Sequence, residues 1–298
     1  MTVSSEVMGT LMPALVTPFG ADGGLDIDGL ERLVDRARRH GADGVSPLGS
    51  TGEGALLETA EKVEVVRALR TIVGPGWPVV AGVLQAAPAS ARAELLALAE
   101  AGATAALVPP PFYYPLRPAE VEAYFAWLAE ESPIPLVLYQ IPQMTKISIA
   151  PAVVAKLARL EWVVGMKDSS RDLEYFEAVV AEVAGADFRL VTGSDTMLSA
   201  SMVAGGGGMI GASANVAADL SRAIIDEVAS GQLDAARLSQ ERLRQVVLRC
   251  RTLGTPAGWK AAAAALGLCQ ATMHRPLEAA SEQAVAELSG DLAALGVS

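Results

Sequence analysis

From Leu11 to Ala212, short apolar runs alternate with longer amphipathic stretches, and the two follow different periods. Asp26 to His40 sets Ile27, Leu30, Leu33, Val34 and Ala37 on one face and charges on the other, the spacing of a helix. The same spacing predicts helices over Thr59 to Val73, Ser90 to Ala101, Pro118 to Glu131, Pro151 to Leu160, Asp172 to Ala184 and Thr196 to Ala204. Leu11 to Val16, a short strand within Gly41 to Gly49, Pro78 to Leu84, Ala105 to Val108, Pro135 to Tyr139, the run ending at Lys167, Phe188 to Thr192 and Met209 to Ala212 read as strands. Eight strand candidates, each one βα unit from the next, predict an α/β fold, a (β/α)8 TIM barrel. An open doubly wound sheet is the runner-up. It calls for a glycine-rich phosphate turn after the first strand, and Thr17-Pro18-Phe19-Gly20 is not one.

From Ala217 onward the alternation stops. Leu220 to Ser230, Leu233 to Thr252, Gly258 to Leu266 and Ser281 to Leu295 read as helices with no strands between them. The expectation is a barrel over 1–230 carrying the active site and a C-terminal helical appendage, 231–298, packed on it.

Composition narrows the class. Of 298 residues, 51% are hydrophobic and 19% charged, so a packed core is expected and disorder is not. The net charge of -11 argues against nucleic acid or an anionic membrane as partner, since both select a basic face. No bilayer-length apolar run and no secretory pattern at Met1 to Gly20 is seen, and Cys250 and Cys269 read as reduced thiols. A cytoplasmic protein is expected. His40 and His274 are isolated from the cysteines, so no metal site is expected.

Lys167 follows the apolar run Trp162-Val163-Val164-Gly165-Met166 and precedes Asp168-Ser169-Ser170, which places it at a strand's C-terminal end. In a parallel barrel that end carries the chemistry. A desolvated amine there can attack a ketone to give a Schiff base, and the plain alternative is a lysine paired with a carboxylate. Gly49-Ser50-Thr51-Gly52-Glu53 offers hydroxyls and approachable N–H groups for a carboxylate, or an ordinary turn and helix cap. Tyr139 suits a proton relay, given a hydrogen-bonded neighbour, or a rim aromatic. The stiff aromatic loop Pro109 to Pro115 suits a pocket wall or a subunit interface, and Gly205 to Gly208 a ligand's approach or tight packing.

Together, Gly49-Ser50-Thr51-Gly52-Glu53, Tyr139-Gln140-Ile141-Pro142, Gly165-Met166-Lys167-Asp168 and the run from Gly206 to Val216 resemble the dihydrodipicolinate synthase / N-acetylneuraminate lyase superfamily, over nearly the whole chain. The resemblance implies a pyruvate-dependent class I aldolase with no cofactor beyond the covalent imine on Lys167. It also implies that Tyr139 shuttles protons and that Ser50 links it to a tyrosine from a neighbouring subunit, here Tyr113. Thr51, beside Gly49, would hold the pyruvate carboxylate, and the Ile210 carbonyl would line the site. Members are commonly tetramers built from dimers, so a homo-oligomer is implied, with small 2-oxo acid and aldehyde substrates.

One departure bears on substrate. Dihydrodipicolinate synthases carry, after the tyrosine segment, an arginine that grips the carboxylate of aspartate semialdehyde; here Met144 stands in its place, with Gln140 and Gln143 nearby. A methionine cannot make charge-assisted bonds, and losing one typically costs about 1.5–3 kcal/mol. Lys146 substitutes at most as a mobile point charge. The Gly-Met-Lys-Asp-Ser segment and Gly193-Ser194-Asp195 resemble the aldolases of 2-keto-3-deoxy acids and of 4-hydroxy-2-oxoglutarate. The expected function is therefore cleavage or formation of such a 2-oxo acid. The alternatives are 4-hydroxy-tetrahydrodipicolinate synthase, a sugar-acid dehydratase that uses the same imine, and a catalytically silent 2-oxo acid sensor.

Overall fold

The computed structural model describes residues 4–298. Seven strands form one parallel sheet: β1 (Leu11–Pro13), β2 (Val80–Gly82), β3 (Ala105–Val108), β4 (Leu136–Gln140), β5 (Val163–Asp168), β6 (Arg189–Thr192) and β7 (Met209–Gly211). Their order is β1-β7-β6-β5-β4-β3-β2. The sheet curls until its two edges face each other across a single stitch. Val45 pairs with Val79 and Ser46 with Ala14, and Ser46 N–H donates to Pro13 O at 2.9 Å while Val80 N–H donates to Val45 O at 2.9 Å. The strand expected within Gly41 to Gly49 is therefore corrected to two bridging residues. Pro47 has no N–H to continue a ladder, and Leu48 turns the chain away at φ +62.

Around the sheet run α1 (Ile27–Arg39), α2 (Thr59–Val73), α3 (Pro88–Ala101), α4 (Pro118–Glu131), α5 (Pro142–Thr145), α6 (Pro151–Leu157), α7 (Leu173–Glu182), α8 (Leu198–Val203) and α9 (Ala218–Ala229). Local chemistry explains their ends. Asp26 accepts from Gly29 N–H at 2.9 Å at the start of α1, whose last turn holds Arg36, Arg38 and Arg39. Pro occupies the first turn of α3, α4, α5 and α6, where its missing N–H costs nothing. The short helix α5 was not visible as a periodic stretch, and α6 ends at Leu157, short of the expected Leu160.

Two apolar clusters share the strands between them. Leu11, Leu136, Leu138, Val163 and Met166 face the helices, while Met12, Val137, Tyr139, Val164 and Ile210 face the barrel interior. Against β4 the register of β5 slips, so that Val163 pairs with Leu136 but Gly165 with Val137. This bulge reverses the parity of β5 and turns Lys167 inward, opposite Tyr139. Gly165 is needed beside the bulge because a Cβ there would collide with Met8 and the Arg189 carbonyl.

The chain continues through α10 (Leu233–Arg251), α11 (Ala257–Ala265) and α12 (Glu282–Ala294). Gln240 of α10 donates to Asp195 O at 3.0 Å, and Arg32 of α1 donates to Leu268 O at 2.9 Å. Gly205 to Gly208 sit before β7, at the strand end remote from Lys167. Gly206 packs on Ser201 and Gly208, at φ +140, on Thr10, so this run serves close packing rather than a ligand at the Lys167 end.

Candidate active site

At the C-terminal end of β4 and β5, Tyr139 and Lys167 are register partners, 2% and 4% exposed. The Lys167 Nζ stands 4.7 Å from the centroid of the Tyr139 ring. Among the described residues this amine has no carboxylate partner and makes no hydrogen bond; its neighbours are the ring face and a cavity of ≈140 Å³. At the phenol itself, Ser50 Oγ lies 3.4 Å from Tyr139 Oη.

Ser50 and Thr51 are held by a tight turn. Gly52 N–H and Gly54 N–H both donate to Gly49 O, and the Thr17 hydroxyl donates to Gly52 O at 2.7 Å. Gly54 is obligatory here, since a Cβ would overlap the Leu48 carbonyl. The next residue of the motif, Glu53, turns inward at φ +59 and forms a fully buried ion pair with Lys260 of α11. Glu53 also accepts from His274 N–H at 2.8 Å, and Lys260 donates to Thr272 O at 2.9 Å. Every polar end of that pair is occupied, which a buried charge requires. Burial nonetheless holds the Lys260 ammonium below its usual range, with Glu53 pulling it back up.

Lys167, Tyr139, Ser50, Thr51, Ile210 and Met144 all line the cavity. Three expected residues do not. Gly49 contributes its carbonyl to the turn rather than a surface to the cavity. Gln140 is a correction: as the strand neighbour of inward Tyr139 it points out, and it spends its amide on Ser148 Oγ at 2.6 Å and on Ile149 N–H at 3.0 Å. Tyr113 is 85% exposed and stacks edge-on with Tyr114, away from this chain's own cavity.

Other residues line the cavity beyond the expected site set. Arg171, Ser194, Asp195 and Arg251 border the cavity, together with Thr255 and Trp259. Arg171 follows the lysine motif directly and was legible as a charge at the strand's exit. Arg251, Thr255 and Trp259 come from the end of α10, the connection after it and α11, which no local pattern places over the barrel mouth. Asp168, the neighbour of Lys167, faces the helices. It accepts from Ser170 N–H and Ser170 Oγ, both at 2.9 Å, and burial pushes its carboxyl up to about 6 despite those bonds. Burial also pushes the Cys250 thiol up to about 12, the state of an inert core thiol. Among the described residues no group of His, Cys, Asp and Glu is placed to hold a metal, and no helix is long and apolar enough to cross a membrane.

The chain resembles known proteins over nearly its full length. It is 35% identical to 4-hydroxy-tetrahydrodipicolinate synthase 1 of Streptomyces coelicolor, over 97% of this chain and 96% of that one. It is 30% identical to the 4-hydroxy-tetrahydrodipicolinate synthase of Methanosarcina mazei, over 96% and 98% respectively. Among solved structures, YagE, a prophage protein of Escherichia coli K12 determined in complex with pyruvate, superposes with a TM-score of 0.91 at 27% identity, covering 98% of this chain and 99% of that one. A monomeric dihydrodipicolinate synthase variant gives 0.92, also at 27%, covering 98% of both. The profile of the Dihydrodipicolinate synthetase family matches residues 7–295. The curled parallel sheet is that family's TIM-barrel fold. The chain thus belongs to the dihydrodipicolinate synthetase family, lyases that act on pyruvate through a lysine Schiff base and use no metal.

Proposed function

We propose that this chain is an aldolase that cleaves or forms a 2-oxo acid of the 2-keto-3-deoxy or 4-hydroxy-2-oxo type, with pyruvate as one partner and Lys167 as the imine-forming residue. The carrying observation is the buried, unpaired amine of Lys167 facing a cavity beside Tyr139. A buried amine with a partner is structure; one without is available to a carbonyl.

The chemistry follows from the positions. The Lys167 amine adds to the C2 ketone and water leaves, giving a protonated imine. When the C3–C4 bond breaks, its electron pair moves toward the imine to form an enamine, and the C4 hydroxyl gives up its proton. Tyr139 relays that proton with Ser50 as its hydrogen-bonded neighbour. After the aldehyde leaves, the enamine is protonated at C3, and water releases pyruvate and the free amine. Thr51 is suited to the pyruvate carboxylate, and the Ile210 carbonyl to the wall beside the lysine. The outward Tyr113 suits a relay completed in a second copy of the chain, hence a homo-oligomer, and we assign it to the cytoplasm. We divide the chain into a barrel over 1–230 and a helical appendage over 231–298, on the contacts of α10 and α11 with the barrel mouth.

Reduction with borohydride in the presence of pyruvate, followed by peptide mass spectrometry, is expected to place the adduct on Lys167. No adduct there would sink the assignment. The names of the curated relatives favour a second reading, condensation of pyruvate with aspartate semialdehyde. Met144, 61% exposed on the cavity rim, disfavours capture of a carboxylate at that position, since a thioether makes no charge-assisted bond there. Assaying aspartate semialdehyde against a panel of aldehydes with pyruvate separates the two.

A further inference from the structure

Three cations border the cavity of a chain whose net charge is -11: Lys167, Arg171 and Arg251. Lys167 is assigned above to the ketone, and Thr51 to the first carboxylate. The two guanidinium groups have no role in that scheme. Arg171 has no salt-bridge or hydrogen-bond partner for its side chain among the described residues, and Arg251 has only Asp195, at 4.0 Å. That carboxylate is shared, because its Oδ1 accepts from Ser213 N–H at 2.8 Å.

The backbone around Arg171 is built to hold it in place. Arg171 sits at φ +65, a region that few residues other than glycine occupy and that persists only where the surroundings enforce it. The enforcement is visible on both sides. Asp168 takes both the N–H and the hydroxyl of Ser170, and Asp172 N–H donates back to Ser170 Oγ at 3.1 Å. From α5, the Gln143 amide donates to Ser169 O at 2.8 Å and Ser170 O at 3.0 Å. Arg251 is half-buried at the end of α10, where burial lowers its proton affinity, Asp195 raises it and Arg171 lowers it again. Arg171 is thus among the charges that Arg251 feels, after burial and Asp195. Ser194 adds an independent sign: it is 3% exposed, lines the same cavity, and its hydroxyl has no partner. An orphaned buried hydroxyl is satisfied when a polar ligand fills the space.

We propose that Arg171 and Arg251, with the Ser194 hydroxyl, form an anion subsite that selects a short 2-oxo acid ending in a second carboxylate, and hence an acceptor aldehyde that is itself an acid. The inference rests on the aldolase reading above and specifies its substrate. The charge absent at Met144 is supplied instead by the loop after β5 and the end of α10. A guanidinium fits a carboxylate through parallel donors, and a neutral hydroxymethyl tail offers one weak acceptor in the same place.

The test compares two probes of equal carbon number, 4-hydroxy-2-oxoglutarate and 4,5-dihydroxy-2-oxopentanoate, by pyruvate release in the full-length protein. The wild type is expected to prefer the dicarboxylate in kcat/KM by about tenfold to a hundredfold. Arg171→Met and Arg251→Met should each erase most of that preference, chiefly through KM, and Arg171→Lys should restore part of it. Arg171 is exposed, so its variants separate loss of recognition from loss of folding. Equal use of both probes by the wild type, or a preference that survives in the double variant, would overturn the subsite while pyruvate trapping on Lys167 still stands. Failure of trapping would instead remove the reading on which the subsite rests.

Discussion

Lys167 and Lys260 are both buried, 4% and 0% exposed, and both lie against an aromatic ring, at 4.7 Å from Tyr139 and 4.3 Å from Phe19. They differ in what else they touch. Lys260 is closed off by Glu53 and by the Thr272 carbonyl, so every favourable contact it can make is already made. Lys167 has a cavity where its partner would be. A third buried lysine, Lys62, follows the first pattern, paired with Glu94 at 2.7 Å. Burial alone does not set Lys167 apart from the other two lysines; burial with an unfilled side does.

Exchanging each lysine for methionine tests that contrast most strongly. Lys167→Met is expected to lower pyruvate-forming activity by at least about 10³-fold. Stability should stay level or rise, because a buried polar group with no hydrogen-bond partner is removed. Lys260→Met should do the opposite. It leaves Glu53 buried and unpaired and is expected to cost about 3–5 kcal/mol in urea unfolding, with Glu53→Gln in the same chain recovering part of the loss. If the two single variants are equally destabilised, the contrast fails.

A smaller effect concerns the strand end itself. The Asp168 carboxyl is held up to about 6 in the folded protein, against 3.8 as its ordinary value. The native state keeps a proton that the unfolded chain has released, so this group's contribution to stability falls as pH rises from about 4 to 6. The full effect is roughly 3 kcal/mol. Asp168→Asn is expected to flatten that part of the stability profile. Imine trapping on Lys167 should keep its own pH dependence, since the two side chains lie on opposite faces of β5. A trapping profile that shifts with this variant would tie Asp168 to the amine after all.

Much of the fold was legible because periodicity is local. The bounds of α2, β3 and α4 are those the apolar spacing predicts, and the Asp26 cap of α1 stands where the pattern starts. What failed depended on pairing or on distant packing. Val45 and Ser46 are strand-like only because two sheet edges close on them. Tyr139 and Gln140 were both placed at the site, yet neighbours on a strand cannot share a face. Lys167 reached the interior through a bulge that the alternation of Val163 to Asp168 does not reveal. Arg251 and Trp259 were read only as helix residues, because their place at the barrel mouth is set by how the last helices turn back. The lysine, the phenol and the hydroxyl loop could be found by motif; of the residues proposed to choose the substrate, Ser194 lies in such a motif and Arg171 just after one, while Arg251 could not be found that way.

The anchoring of Glu53 by Lys260 and His274 spans more than two-thirds of the chain in order of synthesis. A ribosome delivers Lys167, Tyr139 and the Ser50 loop well before the residues that hold that loop still. Loss of the segment beyond Cys250, by a premature stop or a protease, would leave Lys167, Tyr139 and Ser50 present and remove Lys260 and His274, which hold the Glu53 end of the Ser50 loop.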